Sequence, residues 1–166
     1  MTSTQRRVAL VTGSSRGLGA VIALRLARDG FAVAVNGRPG DELVAAVGRG
    51  IRDEGGTAQG FCADVTDEQQ VAELAVAIAN SLGPVDVLVL NATGPQPEAP
   101  VTEVGWADHV AQLDFFVKSP VLLGRAVLPG MRPGNTAASS ASTPRSPTVR
   151  RRAGPPTPPR RTRRSA

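Results

Sequence analysis

Hydrophobic and polar positions alternate in blocks along the first part of this chain, which predicts buried strands followed by amphipathic helices. Val8–Val11 and Phe31–Val35 are short, continuous apolar runs, and such runs are typical of strands buried on both faces of a parallel sheet. Between them, apolar side chains recur at the spacing of one helix face. These are Leu18, Val21, Ile22 and Leu26. The segment therefore predicts a strand, a glycine-rich turn, a helix and a second strand.

The alternation continues as far as Met131. Residues 57–62 predict a third strand, and residues 85–90 predict a fourth strand that ends at Asn91. A helix follows the second strand, and another follows the third. Their apolar positions are Leu43, Val47 and Ile51 in the first, and Val71, Leu74, Ile78 and Leu82 in the second. Strands that alternate with helices in this way predict an α/β fold with a Rossmann-like, doubly wound parallel sheet.

Two features predict where the later helices begin and end. Thr66 and Gln69 have the spacing of a capping box, which places the start of the third helix there. Two further helices are predicted over Trp106–Phe116 and Val121–Met131. We expect a break between them near Pro120, because proline lacks a backbone donor and its ring clashes with the preceding helical turn.

The turn between the first strand and the first helix carries the strongest candidate chemistry. Residues 12–19 read TGSSRGLG. Gly13 allows the chain to reverse sharply, Gly17 allows backbone N–H groups to approach a phosphate, and Gly19 allows the helix to pack closely on the strand. Because a helix N-terminus carries partial positive charge, the turn predicts a site for the pyrophosphate of a dinucleotide. An ordinary surface turn in an α/β domain is the alternative.

Charge is distributed unevenly between two parts of the chain. Of the 19 basic and 14 acidic residues, nine arginines and no acid lie in residues 132–166. This segment also lacks leucine, isoleucine and phenylalanine, so it cannot bury enough apolar surface to offset its conformational entropy. We therefore expect residues 1–131 to form a mildly acidic dinucleotide-binding domain and residues 132–166 to form a disordered basic tail.

Other classes of protein are excluded or disfavoured by what the sequence lacks. No apolar run is long enough to cross a bilayer, and no secretory signal precedes the first strand, so we expect a cytoplasmic protein. Cys62 is the one cysteine of the chain, which excludes an internal disulfide and a multi-cysteine metal site. We expect its thiol to be buried as a small hydrophobe, and no metal site is predicted.

Several motifs occur in the order in which the short-chain dehydrogenase/reductase family has them. The glycine turn of residues 12–19 resembles the signature of that family. Residues 86–94, DVLVLNATG, resemble its D-x-L-V-N-N-A-G motif, with departures at Leu90 and Thr93. Residues 125–131, RAVLPGM, resemble the end of a long helix in the family. The chain thus resembles the N-terminal, cofactor-binding half of this family.

The resemblance covers Arg7 to Met131 and implies which residues contact a nicotinamide dinucleotide. Asp64 follows the third strand, where the family places an aspartate against the adenine ring, and Asn91 follows the fourth. The implied cofactor-binding residues are Thr12, Gly13, Ser15, Arg16, Gly17, Leu18, Gly19, Arg38, Asp64, Val65, Asn91 and Ala92.

The end of the second strand bears on which dinucleotide is bound. NAD sites usually carry an acid there, which accepts a hydrogen bond from the ribose 2′-OH. This chain instead reads Asn36, Gly37 and Arg38. Arg38 could hold the 2′-phosphate of NADP together with Arg16 in the glycine turn, and the resemblance implies the same role. NADP is therefore favoured over NAD, and a pair of solvated surface arginines is the alternative.

The resemblance also implies hydride transfer between the nicotinamide and a small carbonyl or alcohol substrate, through a Ser and a Tyr-x-x-x-Lys pair. A phenol gives or takes the alcohol proton, and a nearby ammonium lowers its pKa. The chain contains no tyrosine, and its one lysine, Lys118, precedes the region where the pair belongs. Asp114 and Lys118 have i, i+4 spacing, which favours a surface salt bridge. We therefore assign no catalytic residue.

The composition of residues 132–166 indicates why that machinery is missing. A GC-rich coding sequence read out of frame would yield the Arg, Pro, Ala, Ser, Thr and Gly found there. We expect that a frameshift after Met131 replaces the catalytic half and truncates the sheet after about four strands. The leading interpretation is an NADP-dependent oxidoreductase that is catalytically incomplete and, by resemblance, a homo-oligomer. The alternatives are a non-catalytic dinucleotide-binding or interaction module and, least favoured, nucleic-acid association through the arginines.

Overall fold

The computed structural model describes residues 6–94, 96, 98–100 and 102–131, in which strands and helices alternate. The strands are β1 (Val8–Val11), β2 (Ala32–Gly37), β3 (Thr57–Cys62) and β4 (Val85–Val89). The helices are α1 (Gly17–Arg28), α2 (Leu43–Asp53), α3 (Glu68–Ser81), α4 (Trp106–Leu113) and α5 (Ser119–Val127). A π-helical turn, Asp114–Lys118, joins α4 to α5, and a 3-10 turn, Leu128–Gly130, follows α5.

The four strands form one parallel sheet in the order β3-β2-β1-β4. The chain winds outward from β1 through β2 to β3 and then crosses back, so that β4 pairs with the other side of β1. This reversal is the topological switch point of a Rossmann sheet, beside which ligands bind at the carboxyl ends of the strands. The predicted α/β fold with a Rossmann-like parallel sheet is confirmed.

Helices cover both faces of the sheet, and the side chains of each strand alternate between two apolar cores. Val8 and Leu10 point into the core beneath α3 and α5. Val11 points into the opposite core, beneath α1 and α2, together with Val33 and Val35 of β2. Because both faces are covered, the central strands are continuous apolar runs, as the sequence predicts.

The face of α1 that meets the sheet differs from the prediction. Gly19, Ala23 and Ala27 are buried, whereas Leu18 and Val21 are 59% and 64% exposed. Ile22 and Leu26 are half-buried at the edge of the contact between α1 and the sheet. Small side chains let the helix axis approach the sheet closely, so the prediction that the largest apolar residues face the core is wrong for Leu18 and Val21.

Helix α3 begins with a different cap from the predicted one. The Asp67 carboxylate accepts the backbone N–H of Gln70 at 2.9 Å, which is the usual N-cap contact. The predicted capping box of Thr66 and Gln69 is therefore wrong, and the Thr66 hydroxyl instead donates to Asp64 Oδ1 at 2.7 Å. The predicted apolar face is confirmed at three positions that are buried: Val71, Leu74 and Ile78.

The contact between β1 and β4 contains a register shift between Val8 and Ala9. The side chain of Asp86 in β4 is fully buried at this point, and its Oδ2 atom accepts the backbone N–H of Val8 at 2.8 Å. A carboxylate thus takes the place of the strand carbonyl that would otherwise accept this N–H. Asp86 is therefore part of the sheet and is not available to a ligand.

The predicted break near Pro120 is absent, and residues 106–130 are continuously helical. In an unbroken α-helix the ring of Pro120 would press on the carbonyl of Phe116. The wider π turn before it relieves this contact. Asp114 and Lys118 lie within that turn, and no salt bridge of the described residues joins them. The predicted surface salt bridge is therefore wrong.

Cys62 is exposed, contrary to the prediction that it is buried. It ends β3, which lies at the edge of the sheet and in which only Ala58 and Phe61 are buried. The predicted disorder of residues 132–166 lies outside the described residues. No helix in the part of the chain that the structure describes has both the length and the apolar character required to span a membrane.

Candidate functional site

A cavity of about 540 Å³ opens at the carboxyl ends of the strands, beside the switch point between β1 and β4. Its volume falls within the ~300–1,000 Å³ that is usual for small-molecule sites. Ten of the twelve predicted site residues line it: Gly13, Ser15, Arg16, Leu18, Gly19, Arg38, Asp64, Val65, Asn91 and Ala92. The structure therefore brings together residues from four separate segments that the sequence analysis selected.

Thr12, one of the two predicted residues that do not line the cavity, lies buried beneath its floor. The Thr12 hydroxyl donates to the Val89 carbonyl at 3.1 Å. The same oxygen accepts the backbone N–H groups of Asn91 and Ala92, at 3.0 and 3.1 Å. The Asn91 side-chain amide in turn donates to the carbonyls of Thr12 and Gly13, both at 3.0 Å. These bonds fix the glycine turn against the loop after β4.

The glycines of the turn meet two different requirements. Gly13 and Gly17 have φ values of 63° and 55°, which side chains rarely adopt. A Cβ atom at Gly19 would lie 2.3 Å from the Gly13 carbonyl oxygen and 2.5 Å from Asn91 Nδ2. Nothing lies within 4 Å of a Cβ position at Gly17, which faces open space. The turn is therefore tightly packed at Gly19, where a side chain would clash, and exposed at Gly17, where space is left for a ligand beside the backbone.

The N-terminus of α1 is equipped to bind an anion. The side chain of its N-cap residue, Arg16, forms no hydrogen bond with the backbone N–H groups of the first turn, and that turn contains no acid. The first N–H groups of an α-helix have no partner within the helix, and together with the helix dipole they favour a negative charge. Leu18 and Gly19 from this turn line the cavity. The pyrophosphate position predicted from the glycine spacing is therefore compatible with the geometry of the turn.

Asn36, at the end of β2, holds together the ends of three strands. Its side chain is buried, its Oδ1 accepts the Gly13 N–H at 3.4 Å, and its Nδ2 donates to the Phe61 and Ala63 carbonyls at 3.4 and 3.3 Å. Its backbone N–H donates to the Ser14 hydroxyl at 3.0 Å. The floor of the cavity is therefore a continuous hydrogen-bonded network that runs from β1 through β2 to β3.

Two arginines and one carboxylate line the end of the cavity that lies beyond β2. Arg16 and Arg38 are both exposed. The Asp41 carboxylate lies between the glycine turn and α2, with Oδ2 at 3.1 Å from Arg16 Nη2. The hydrogen bond from the Ser15 hydroxyl is the largest influence on this group and holds the pKa of Asp41 below its ordinary value. The Arg16 guanidinium and the Leu43 N–H act in the same direction, against the opposing effect of burial.

Asp64 lies in the wall that β3 contributes. Its Oδ1 atom accepts both the backbone N–H of Thr66, at 2.8 Å, and the Thr66 hydroxyl. Its own backbone N–H donates to Gln70 Oε1 at 2.9 Å. The turn that follows β3 is therefore rigid, and it holds the half-buried Asp64 beside the buried Val65 at the cavity edge.

Phe115 closes the cavity on the side of the helical segment. A Cβ atom at Gly94 would lie 2.6 Å from Phe115 Cδ2, so the ring packs directly on the backbone of the loop after β4. The π turn that contains Phe115 is wider than an α turn and changes the direction in which its side chains point. The aromatic wall of the cavity thus depends on the irregular turn before Pro120.

Three residues that shape this site were not among the predicted site residues. Asn36 could have been found, since a polar residue at the end of an apolar strand is unusual and must be hydrogen-bonded if buried. Asp41 follows Pro39 and Gly40, whose tight turn returns the chain to the cavity. The sequence does not predict this return, because Asp41 lies four positions after the end of β2. Phe115 had no local signal, because only the packing of the later helix against the sheet brings it to the cavity.

The described residues contain no group of three or more His, Cys, Asp or Glu side chains able to hold a metal.

The sequence model of the family described as short chain dehydrogenase matches residues 7–140. The chain belongs to this family. The match begins just before β1 and runs past Met131, so it includes every element described above.

Curated relatives from bacteria match most of this chain but only part of their own length. Gluconate 5-dehydrogenase of Gluconobacter oxydans is 39% identical over 125 residues, which are 75% of this chain and 48% of the relative. The cis-4-hydroxycyclohexanecarboxylate dehydrogenase of Sinomonas cyclohexanicum is 39% identical over 124 residues, or 74% of this chain and 48% of the relative. The chain therefore spans about half the length of these relatives.

Solved structures give the same match in three dimensions. A short chain dehydrogenase from Burkholderia cenocepacia, in complex with NADP, superposes with a TM-score of 0.73 at 34% identity and covers 81% of this chain and 54% of its own. A blue fluorescent protein from a metagenomic library, in complex with NADPH, gives 0.72 at 33% identity, with 80% and 54% covered. The sheet and helices around the cavity thus have the same fold as the corresponding parts of these two structures.

Proposed function

We propose that this chain binds NADP in the cavity at the carboxyl ends of its strands, as the cofactor domain of a short-chain oxidoreductase. The observation that carries the proposal is that Arg16 and Arg38 line one end of a cavity whose other walls are the glycine turn, Asp64 and Asn91. The open N-terminus of α1 would receive the pyrophosphate, and the arginines would receive the 2′-phosphate. The complexes of similar structures with NADP and NADPH support this assignment.

The first experiment is a calorimetric titration of the full chain with NADPH and with NADH. We expect NADPH to bind more tightly, and Arg38→Ala to lower that preference by about tenfold, which corresponds to roughly 1.4 kcal/mol. Binding of NADH should change little in this variant. The matched control is Arg25→Ala, an exposed arginine on α1 whose partner is Asp29. Equal affinity for NADPH and NADH, unchanged in Arg38→Ala, would contradict the choice of NADP.

For the whole protein we propose the reaction of the family, in which hydride passes between the nicotinamide and the carbon of a carbonyl or alcohol substrate. When bound, NADP supplies or accepts that hydride. The residues described here would bind and orient the adenosine and pyrophosphate parts of the cofactor. The named relatives act on gluconate and on cis-4-hydroxycyclohexanecarboxylate, so we propose a small hydroxylated or keto compound as the substrate class.

Binding without turnover is the second candidate function, and one observation favours it. The chain contains no tyrosine to supply the phenol that gives or takes the proton in the reaction of the family. We therefore expect the purified 166-residue chain to bind NADPH and to reduce no carbonyl compound. The assay follows NADPH consumption with a panel of ketones and sugar acids. Measurable turnover would show that this chain is catalytically complete.

We also propose that the chain self-associates through the helical segment of residues 106–130. Large apolar side chains are exposed along it at helical spacing, and such patches mark interfaces. They are Trp106, Val110, Leu113, Phe116, Val117, Val121 and Leu128. Sedimentation of the wild type should therefore show a dimer or larger oligomer. Val117→Asp should dissociate it, whereas Val76→Asp, at an equally exposed position on α3, should not.

A further inference from the structure

The Asp41 side chain occupies the part of the cavity that the two arginines share. Its Oδ2 atom is 3.1 Å from Arg16 Nη2, and its Oδ1 atom accepts the Leu43 N–H at 3.2 Å. The Asp41 side chain is 13% exposed, whereas that of Arg16 is 67% exposed. The carboxylate is therefore fixed at the start of α2, and the guanidinium extends from it toward solvent.

The turn after β2 places this carboxylate above the end of the strand. The Asp41 N–H donates to the Arg38 carbonyl at 3.1 Å, and the Asp41 carbonyl accepts the Val44 N–H at 3.2 Å. A Cβ atom on Gly37 would lie 3.2 Å from Asp41 Oδ2. Gly37 is the last residue of β2, which is where NAD sites usually present an acid to the ribose 2′-OH. Asp41 reaches the same place from the following turn.

The two arginines differ in their partners. Arg16 is paired with Asp41, whereas Arg38 forms no salt bridge with any of the described residues. A 2′-phosphate that binds Arg16 must therefore compete with the carboxylate for the same guanidinium and must remain near a like charge, which is unfavourable. A 2′-hydroxyl has no such conflict, since it can donate a hydrogen bond to the carboxylate.

We propose that Asp41 is a specificity-determining residue that lowers the preference of this site for NADP over NAD. The inference rests on the proposed function, because it assumes that the adenosine ribose lies beside the arginines. Arg38 favours the phosphorylated cofactor, Asp41 favours the unphosphorylated one, and Arg16 is shared between phosphate and carboxylate. The site therefore accepts both cofactors and discriminates between them less than two unopposed arginines would.

The test uses the full chain with 2′,5′-ADP and 5′-AMP, two nucleotides that differ only in the 2′-phosphate. Calorimetry gives the ratio of their dissociation constants, which measures discrimination by this part of the site alone. Asp41→Asn removes the charge and keeps an oxygen to accept the Leu43 N–H. We expect the ratio to shift toward 2′,5′-ADP by between about three- and tenfold. Asp41→Ser, which also keeps a side-chain oxygen to accept the Leu43 N–H, should shift it in the same direction.

Two further variants separate a specificity role from a structural one. Asp29→Asn removes a carboxylate that pairs with Arg25 at 3.1 Å, at the opposite end of α1 from the cavity, and should leave the ratio unchanged. In an Arg16→Ala background, Asp41→Asn should change the ratio by a smaller factor, because the shared guanidinium is gone. A merely structural role of Asp41 would affect both nucleotides equally and would show no such coupling.

The outcomes distinguish this inference from the proposed function. If the wild-type chain binds neither nucleotide, the proposed function is wrong and the role of Asp41 is rejected with it. If both nucleotides bind but Asp41→Asn and Asp41→Ser leave their ratio unchanged, the inference alone is overturned. A shift of the ratio toward 5′-AMP would also overturn it, since Asp41 would then assist phosphate binding by holding Arg16 in position.

Discussion

The Thr12 hydroxyl accepts the backbone N–H of Asn91 at 3.0 Å, across 79 positions of sequence. This bond joins the end of β1 to the loop after β4, on the two sides of the switch point. The glycine turn and the fourth strand are therefore not independent walls of the cavity. Each is held in place by the other through the Thr12 hydroxyl and the Asn91 side-chain amide.

Replacement of this hydroxyl should destabilise the fold. Thr12→Val keeps the shape of the side chain but removes the acceptor for two backbone N–H groups, those of Asn91 and Ala92. We expect the free energy of unfolding to fall by about 1–3 kcal/mol, measured by urea denaturation, because partly buried donors lose their partner. Thr12→Ser retains the hydroxyl and is the control. Equal stability of Thr12→Val and Thr12→Ser would show that the hydroxyl contributes little.

A methyl group should have opposite effects at two helical glycines. Gly19→Ala places a Cβ atom 2.3 Å from the Gly13 carbonyl oxygen, whereas Gly50 in α2 has no atom within 4 Å of the Cβ position. We expect Gly19→Ala to lower the melting temperature and weaken NADPH binding. Gly50→Ala should stabilise the chain by about 0.5–1 kcal/mol, since alanine is the better helix former. Thermal denaturation of both variants with and without NADPH tests the pair.

Loss of the buried Asp86 carboxylate should be costly. Asp86→Ala leaves the Val8 N–H without its acceptor and opens a small cavity within the sheet. We expect a loss of about 2–3 kcal/mol in the free energy of unfolding. Asp53→Ala, at an exposed position in the last turn of α2, should change stability by no more than about 0.5 kcal/mol. Similar denaturation midpoints for both variants would contradict the role assigned to Asp86.

The contribution of Asp41 to stability should depend on pH. The pKa of its carboxyl is lower in the folded chain than its ordinary value, because the Ser15 hydroxyl and then the Arg16 guanidinium hydrogen-bond to it. A group of this kind stabilises the fold above the pKa of the unfolded state, and the effect is lost as the pH falls through the folded pKa. Asp41→Asn should thus be less stable than the wild type at neutral pH.

That difference should shrink as the pH falls through about 4, where an unfolded aspartate is about half protonated. It should be small throughout, since Arg16 is largely exposed and screened by solvent. Urea denaturation of the wild type and Asp41→Asn between neutral and strongly acidic pH measures it. A difference in the free energy of unfolding that grows on acidification would show that the pKa of Asp41 is not lowered by folding.

Much of this fold could be predicted because its signals are local. The apolar runs at Val8–Val11 and Phe31–Val35 are long enough to require burial on both faces, and the glycine spacing in residues 12–19 allows few other turns. The helix faces were harder to predict. In α1 the residues against the sheet are small, so a search for large apolar side chains selects Leu18 and Val21, which are exposed.

The site residues could be predicted only where a side chain suited to the cofactor lies directly at the end of a predicted strand. Arg38 directly follows β2, so its place at the cavity follows from the strand. Asp41 returns to the same place after a turn, and no spacing rule gives the direction of that turn. Phe115 depends on a π turn whose cause, Pro120, is visible in the sequence, but whose effect on side-chain direction is a matter of tertiary packing.

The network around Asn36 has a consequence for how the chain would respond to its cofactor. Its hydrogen bonds join the turn after β1 to β2 and to the end of β3, so the cavity floor forms only when all three strands are assembled. A ligand of this cavity therefore binds only the assembled sheet. Its binding raises the free energy of unfolding of the whole sheet. A dinucleotide at a hundred times its dissociation constant would add about 2.7 kcal/mol to the stability of that sheet.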